Sequence, residues 1–182
     1  MIMNFYDRDR VEVGFETMGG KLIVRRSGEL YEMEFPAYRL QKADITEEII
    51  DVSGAVLEEA YLGRNLLCVF EDEDVVRSME PDMEKVLKLP GLLFHVTAPC
   101  KTGAFDCVSR SFAPKLGVAE APVCGSSHCH IIPCWAEKSG KDTITAYQAS
   151  PRGGVLYCQE EGPKVKMSGK AVLYAKSEIF AC

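Results

Sequence analysis

The chain has 182 residues, 47% of them hydrophobic and 26% charged, with a formal net charge of −6 at pH 7. This composition argues against disorder, and the length suffices to bury a core without metals or disulfides. Basic residues cluster no further than the pairs Arg8/Arg10 and Arg25/Arg26, which argues against nucleic acid as a partner, and no apolar run approaches the roughly 20 residues that span a bilayer.

The N-terminus, Met1 to Phe5, lacks the basic, apolar and cleavage regions of a secretory signal. The eight cysteines therefore read as reduced thiols in a cytoplasmic protein. Val11 to Thr17, Lys21 to Arg26 and Glu29 to Phe35 read as three strands of a meander, with turns at Gly19-Gly20 and Ser27-Gly28 and a stop at Pro36. Three strands make a poor independent fold, so they are expected to join a larger sheet. A helix is expected from near Asp44, with Glu47 completing a capping box, to a break at Gly54. Leu66 to Phe70 is a short apolar strand. The acidic run Glu71 to Asp74 suits a helix N-terminus, and a second short helix spans Asp82 to Leu89 before Pro90. Strands follow at Leu92 to Ala98, Phe105 to Phe112, Thr143 to Ala149, Gly154 to Gln159, Val165 to Met167 and Ala171 to Ala175. The one candidate domain boundary lies between Tyr38 and Asp44.

The segment Ser126 to Ala136 opens with small polar residues and then turns apolar on nearly every face. A helix apolar all round is buried, so a central helix inside the sheet is expected. Pro133 within it requires that packing absorb its distortion.

The run Arg110-Ser111-Phe112-Ala113-Pro114, followed by Gly117-Val118-Ala119-Glu120-Ala121-Pro122-Val123-Cys124-Gly125-Ser126-Ser127-His128, resembles the central signature of the phenazine biosynthesis-like (PhzF-like) family. Pro133-Cys134-Trp135, Gln148-Ala149-Ser150-Pro151-Arg152-Gly153-Gly154 and Ser168-Gly169-Lys170-Ala171-Val172 follow in the family's order and spacing. Upstream, Phe15 to Leu22 and Met33-Glu34-Phe35-Pro36 resemble its mid-chain strands. The resemblance implies an α+β fold like that of diaminopimelate epimerase, an antiparallel sheet wrapped around a central buried helix. It divides the chain into 1–42, part of an N-terminal epimerase-like domain, and 43–182, the C-terminal one. It also implies proton-shuttling isomerisation of a small carboxylate-bearing metabolite, with no metal or organic cofactor. Two departures are visible. The family's catalytic Glu and Gly-His segment is absent here, as though the chain began just after it, and Ala121 stands where the family has a substrate-contacting Asp.

The start of the central helix is the best site candidate. Unpaired N–H groups of Gly125, Ser126 and Ser127 would favour a substrate carboxylate through hydrogen bonds and the helix dipole. The plain alternative is N-capping by Ser126. Cys124, just ahead of the helix, is either a structural thiol or a proton-transfer group, as in diaminopimelate epimerase, which it resembles in this respect. His128 is the histidine nearest the helix start; it either lines the cleft or is a satisfied structural histidine. Cys124, His128, Cys129, His130 and Cys134 have zinc-ligand chemistry but fall on several faces of one helix, so no metal site is expected. His95 reads as a packing residue, and Arg110 and Arg152 each as either a loop anchor near the cleft or an exposed surface residue. The functional readings are an isomerase impaired by what is absent, a non-catalytic anion-binding protein, and a Cys124-dependent racemase. The open edges of the meander lead us to expect a homodimer or other self-association.

Overall fold

The structure, a computed structural model, describes residues 2–18 and 20–178, so the expected turn glycine Gly19 lies outside the described residues. A single turn of π-helix at Ile2–Tyr6 precedes the meander β1 (Glu12–Thr17), β2 (Gly20–Ser27) and β3 (Leu30–Pro36), then β4 (Gln41–Ala43) and α1 (Glu47–Ser53). Next come β5 (Glu59–Leu62), β6 (Leu66–Val69), α2 (Glu73–Ser78), α3 (Met83–Val86), β7 (Phe94–Pro99) and β8 (Cys107–Ala113). The remainder is β9 (Val118–Glu120), α4 (Gly125–Ser139), β10 (Thr143–Gln148), β11 (Gly154–Glu161) and β12 (Lys164–Gly169).

The strands form one sheet in the order β1-β2-β3-β12-β11-β10-β8-β7-β6-β5-β4, with β9 added to β8. Pairing is antiparallel except between β6 and β7 and between β8 and β10. The meander does join a larger sheet, because β3 pairs with β12 from Tyr31↔Gly169 to Pro36↔Lys164.

Strands β6, β7 and β8 are buried on both faces, which is why they read as nearly continuous buried runs. On one face Leu66, Cys68, Phe94, Val96 and Phe112 meet Ile49 and Val52 of α1 and Val76 of α2. On the other, Leu67, Val69 and Cys107 belong to the cluster around Ile131, Ile132 and Trp135 of α4. Helix α4 is the predicted central helix: its residues from Ser127 to Ile132 are all buried, and both Ile131 and Ile132 have no exposed surface. Full burial of each isoleucine contributes about 1.5–3 kcal/mol.

Pro133 sits inside α4 and has no N–H to give the carbonyl four residues back, that of Cys129. The backbone N–H of Tyr38 fills the gap, donating to Cys129 O at 2.9 Å. The connection after β3 is thereby fixed to the middle of the helix.

Two expectations need correction. Helix α1 is capped by Thr46, whose hydroxyl accepts from Ile49 N, and not by Asp44; the expected end at Gly54 holds, with φ at +65°. A Thr two residues further on places its oxygen over the third N–H of the helix, where Asp44 cannot reach. The strand expected at Ala171 to Ala175 is not formed: the chain leaves the sheet after Gly169, and Val172 and Tyr174 are 90% and 99% exposed. The short strands β4, β5 and β9 carry too few residues for alternation to show. No helix among the described residues is long and apolar enough to cross a membrane.

Candidate functional site

Helix α4 begins without a side-chain cap. Cys124 occupies the N-cap position in extended conformation and makes no capping bond, so Ser126 is not the cap. The first in-helix bond is His128 N to Cys124 O at 3.4 Å. Among the described residues the N–H groups of Gly125, Ser126 and Ser127 have no acceptor. Gly125 is half-buried and Ser126 exposed, so their donors and the positive end of the helix dipole open to solvent, whereas Ser127 has no exposed surface. A methyl group on Gly125 would meet only Met167 Sδ, at 3.9 Å, which leaves room for a ligand.

The loop ahead of the helix is held by residues that follow β10. Alternation along β10 turns Ile144, Ala146 and Gln148 inward. Gln148, fully buried, donates from Nε2 to Ala121 O at 2.6 Å and accepts from Cys124 N at Oε1 at 2.7 Å. Ser150 donates its hydroxyl to Pro122 O and accepts from Gly153 N at 3.1 Å. Gly154 lets this segment lie against the loop, because a Cβ there would stand 2.5 Å from Val123 Cγ2. Arg152 is exposed on the same loop.

The other wall is anchored by Arg110. Its guanidinium is bidentate to Glu120, at 2.7 and 2.8 Å, and donates to Arg77 O at 3.2 Å, joining β8, β9 and the end of α2. Arg110 is thus a buried loop anchor, as one of its two readings held. Glu120 is committed to that pair, and the neighbouring Ala121 offers only a methyl group.

Cys124 is partly exposed, and its Sγ lies 3.2 Å from Ser126 Oγ. Ser127 is buried and its hydroxyl accepts from Ser111 Oγ at 2.7 Å. His128 takes the structural reading and not the cleft one: its ring has no exposed surface. Its Nδ1–H donates back to Cys124 O at 2.8 Å, so Nε2 holds the lone pair, and no group pairs with it. Burial holds its pKa down to about 4, against the opposing pull of the Cys124 carbonyl. His130 is likewise neutral and buried, donates from Nδ1 to Ser126 O at 3.1 Å, and stacks beneath Tyr38 at 4.6 Å.

His95 in β7 completes this interior group. Asn65 Oδ1 accepts from Leu93 N, so Asn65 Nδ2 donates to His95 Nε2 at 3.0 Å and the histidine proton sits on Nδ1. Burial, then the neighbouring His130 and His128, push the His95 pKa well below its ordinary value. Among the described residues no three His, Cys, Asp or Glu side chains are grouped to hold a metal ion. The residues that sequence reasoning left without a role are Gln148, Ser150, Ser111 and Asn65. Period-two alternation through Ile144 and Ala146 was the available signal for an inward Gln148.

The sequence profile described as phenazine biosynthesis-like protein matches residues 11–177. An uncharacterized isomerase of Pseudomonas aeruginosa is 38% identical over 165 residues, covering 91% of this chain and 63% of the relative. Phenazine biosynthesis-like domain-containing protein 2 of Mus musculus is 32% identical over 188 residues, covering 92% of this chain and 65% of the relative. The chain thus spans under two thirds of the length of both. A crystal structure of a PhzF-family phenazine biosynthesis protein from Enterococcus faecalis superposes with a TM-score of 0.94 at 37% identity, over 99% of this chain and 69% of that one. A predicted epimerase of Pseudomonas aeruginosa shares the fold, with a TM-score of 0.60 at 16% identity over 94% of this chain and 68% of that one. The α+β, diaminopimelate epimerase-like architecture and the matched signature agree, and the chain belongs to the phenazine biosynthesis-like protein family.

Proposed function

We propose that this chain carries the anion-binding end of an isomerase site, one that moves a carbon-bound proton of a small carboxylate-bearing metabolite by acid–base chemistry. The observation that supports it is the uncapped start of α4, where the N–H groups of Gly125, Ser126 and Ser127 have no acceptor. Relatives of this chain are called isomerases. The solvent-facing donors of Gly125 and Ser126, with that of Ser127 behind them, hold the carboxylate or the oxyanion that develops as the proton leaves. Cys124 and Ser126, with sulfur and oxygen 3.2 Å apart, are the partly exposed protic side chains beside it. His128 acts from behind, through the Cys124 carbonyl.

A second reading, an anion-binding protein with little turnover, is favoured by the state of the carboxylates. Ala121 supplies none, and Glu120 is locked to Arg110. Proton abstraction needs a positioned base, and losing one costs about 10²- to 10⁴-fold in rate. Binding ground and transition states equally does not speed the chemical step. The third reading, a racemase built on Cys124, requires that thiol to take the base's part.

The test is solvent-deuterium incorporation into a panel of small carboxylates, paired with amide NMR of residues 125–127. We expect carboxylates to shift those amides, the unaltered chain to exchange slowly, and Ala121→Asp to raise exchange at least about tenfold, as a restored acid–base group should. Rapid exchange by the unaltered chain, abolished in Cys124→Ser, would establish the cysteine reading instead. Carboxylates that bind without moving the 125–127 amides would sink the site.

A further inference from the structure

We infer that Gln148 is the positioning residue of the anion site, acting through the backbone of residues 121–124 and not by touching the ligand; this rests on the reading of the α4 start as that site. Gln148 ends β10 and has no exposed surface. Its backbone sits where two strands meet, in register with Ser109 of β8 and with Gly154 of β11. From that fixed point the side-chain amide serves two loop groups of opposite kind. Nε2 donates to Ala121 O at 2.6 Å, and Oε1 accepts from Cys124 N at 2.7 Å.

Few side chains can do this. The position demands a donor and an acceptor on one short planar head, at the reach of two methylenes. The consequence for the site is twofold. The Cys124 N–H is consumed, so the free donors begin at Gly125. The Ala121 carbonyl is occupied by the Gln148 amide. Without Gln148 that carbonyl loses its donor, and the free donors of the α4 start lie only four residues on in the chain. The loop can then fold onto the helix end and occupy the site, the outcome that Gln148 prevents. Ser150 holds the next carbonyl, that of Pro122, in the same way, so two successive loop carbonyls are kept off the ligand.

The variants Gln148→Glu and Gln148→Met separate positioning from packing. An ionised Glu cannot donate to Ala121 O. A protonated Glu can, through its O–H, while its carbonyl oxygen accepts from Cys124 N, so low pH rebuilds the pair of bonds. Burial favours the protonated form. Met has similar length and no hydrogen-bonding head. The probe is sulfate, whose charge is constant from pH 5.5 to 8.5, titrated against the whole chain. Cys124 and His128 are the titratable side chains of the adjacent helix turn. The unaltered chain shares their titration, so the ratio of affinities isolates residue 148.

We expect Gln148→Glu to bind sulfate at least about tenfold more weakly than the unaltered chain at pH 8.5, in line with loss of a buried hydrogen-bonded group. At pH 5.5 the two should converge to within about twofold, while Gln148→Met stays weak at both. Equal affinity at pH 8.5, or a deficit in Gln148→Glu that ignores pH, would overturn the inference. The Cys124 amide-proton shift gives a readout independent of any anion. It should move in Gln148→Met at both pH values and in Gln148→Glu only at high pH. If sulfate binds no form of the chain yet this shift behaves as described, the anion-site reading fails and the Gln148 clamp stands; an unmoved shift removes the clamp itself.

Discussion

Three histidines lie in the interior as neutral rings, and each leaves one ring nitrogen without a partner: Nδ1 of His95, and Nε2 of His128 and of His130. Their folded pKa values lie below the ordinary 6.5, His128 at about 4, with burial the leading cause in each. The unfolded chain therefore takes up protons more readily than the folded one. Stability is full above about pH 6.5 and drains as pH falls towards about 4, by about 3 kcal/mol for His128 alone. Urea midpoints measured from pH 7.5 to 5 should fall steadily, ahead of the carboxylate titrations, and the fall should shrink in His128→Gln. A midpoint flat across that range would refute the account. The sequence showed less of this than of the fold. His95 read correctly as a packing residue from its apolar strand. His128 read as a cleft residue or a structural one, because distance from the helix start was visible in the sequence but the angle around the helix axis, relative to a sheet not yet placed, was not. Gln148 was quoted within a motif without a role, since its partners are backbone atoms of a loop far away in sequence.

The loop from Glu120 to Cys124 is an element with almost no structure of its own, held by Arg110 on one side and by Gln148 and Ser150 on the other. The Arg110–Glu120 pair is nearly buried, with side-chain exposures of 11% and 14%. Removing one partner strands the other charge, which costs about 3–5 kcal/mol in such settings. Glu120→Ala should accordingly lower stability by an amount of that order in denaturant titrations and weaken sulfate binding at the α4 start. Glu120→Gln, which keeps a carbonyl acceptor for the guanidinium, should retain more of both. If Glu120→Ala matched the unaltered chain in both, the loop would need another anchor. Strong elements were legible: the meander, α4 and the paired strands β10 and β11 follow from alternation, glycine turns and an apolar helix pattern. The weak ones, β4, β5 and β9, exist because neighbours supply pairing, and three or four residues cannot announce that alone. The parallel pairs β6/β7 and β8/β10 were equally invisible, since strand direction is set by connections and not by composition.

At the scale of the molecule, one long sheet wraps α4 and ends in two edge strands, β1 and β4. The meander residues are mostly exposed or half-buried, and Phe15 on β1 is 41% exposed. An unpaired strand edge with apolar side chains pairs readily with another chain. Self-association is the expected outcome, measured as a concentration-dependent mass by light scattering over the micromolar range. Phe15→Lys should shift it towards monomer, because a charge on an edge strand opposes pairing. A mass constant at one chain for the unaltered protein would contradict this. A different consequence follows from Pro133. Helix α4 cannot complete its own hydrogen-bond ladder, since among the described residues the Cys129 carbonyl is answered only by the Tyr38 N–H. The helix is thus one rung short until the chain just beyond the meander has docked across its middle. Such distant contacts slow folding and tie separate regions into a single transition. The start of α4, with the donors that face the ligand, then shares its cooperativity with residues near the other end of the sequence. Amide exchange at Tyr38 should accordingly track that of the helix interior, and the helix should not persist once the strands before it have come away.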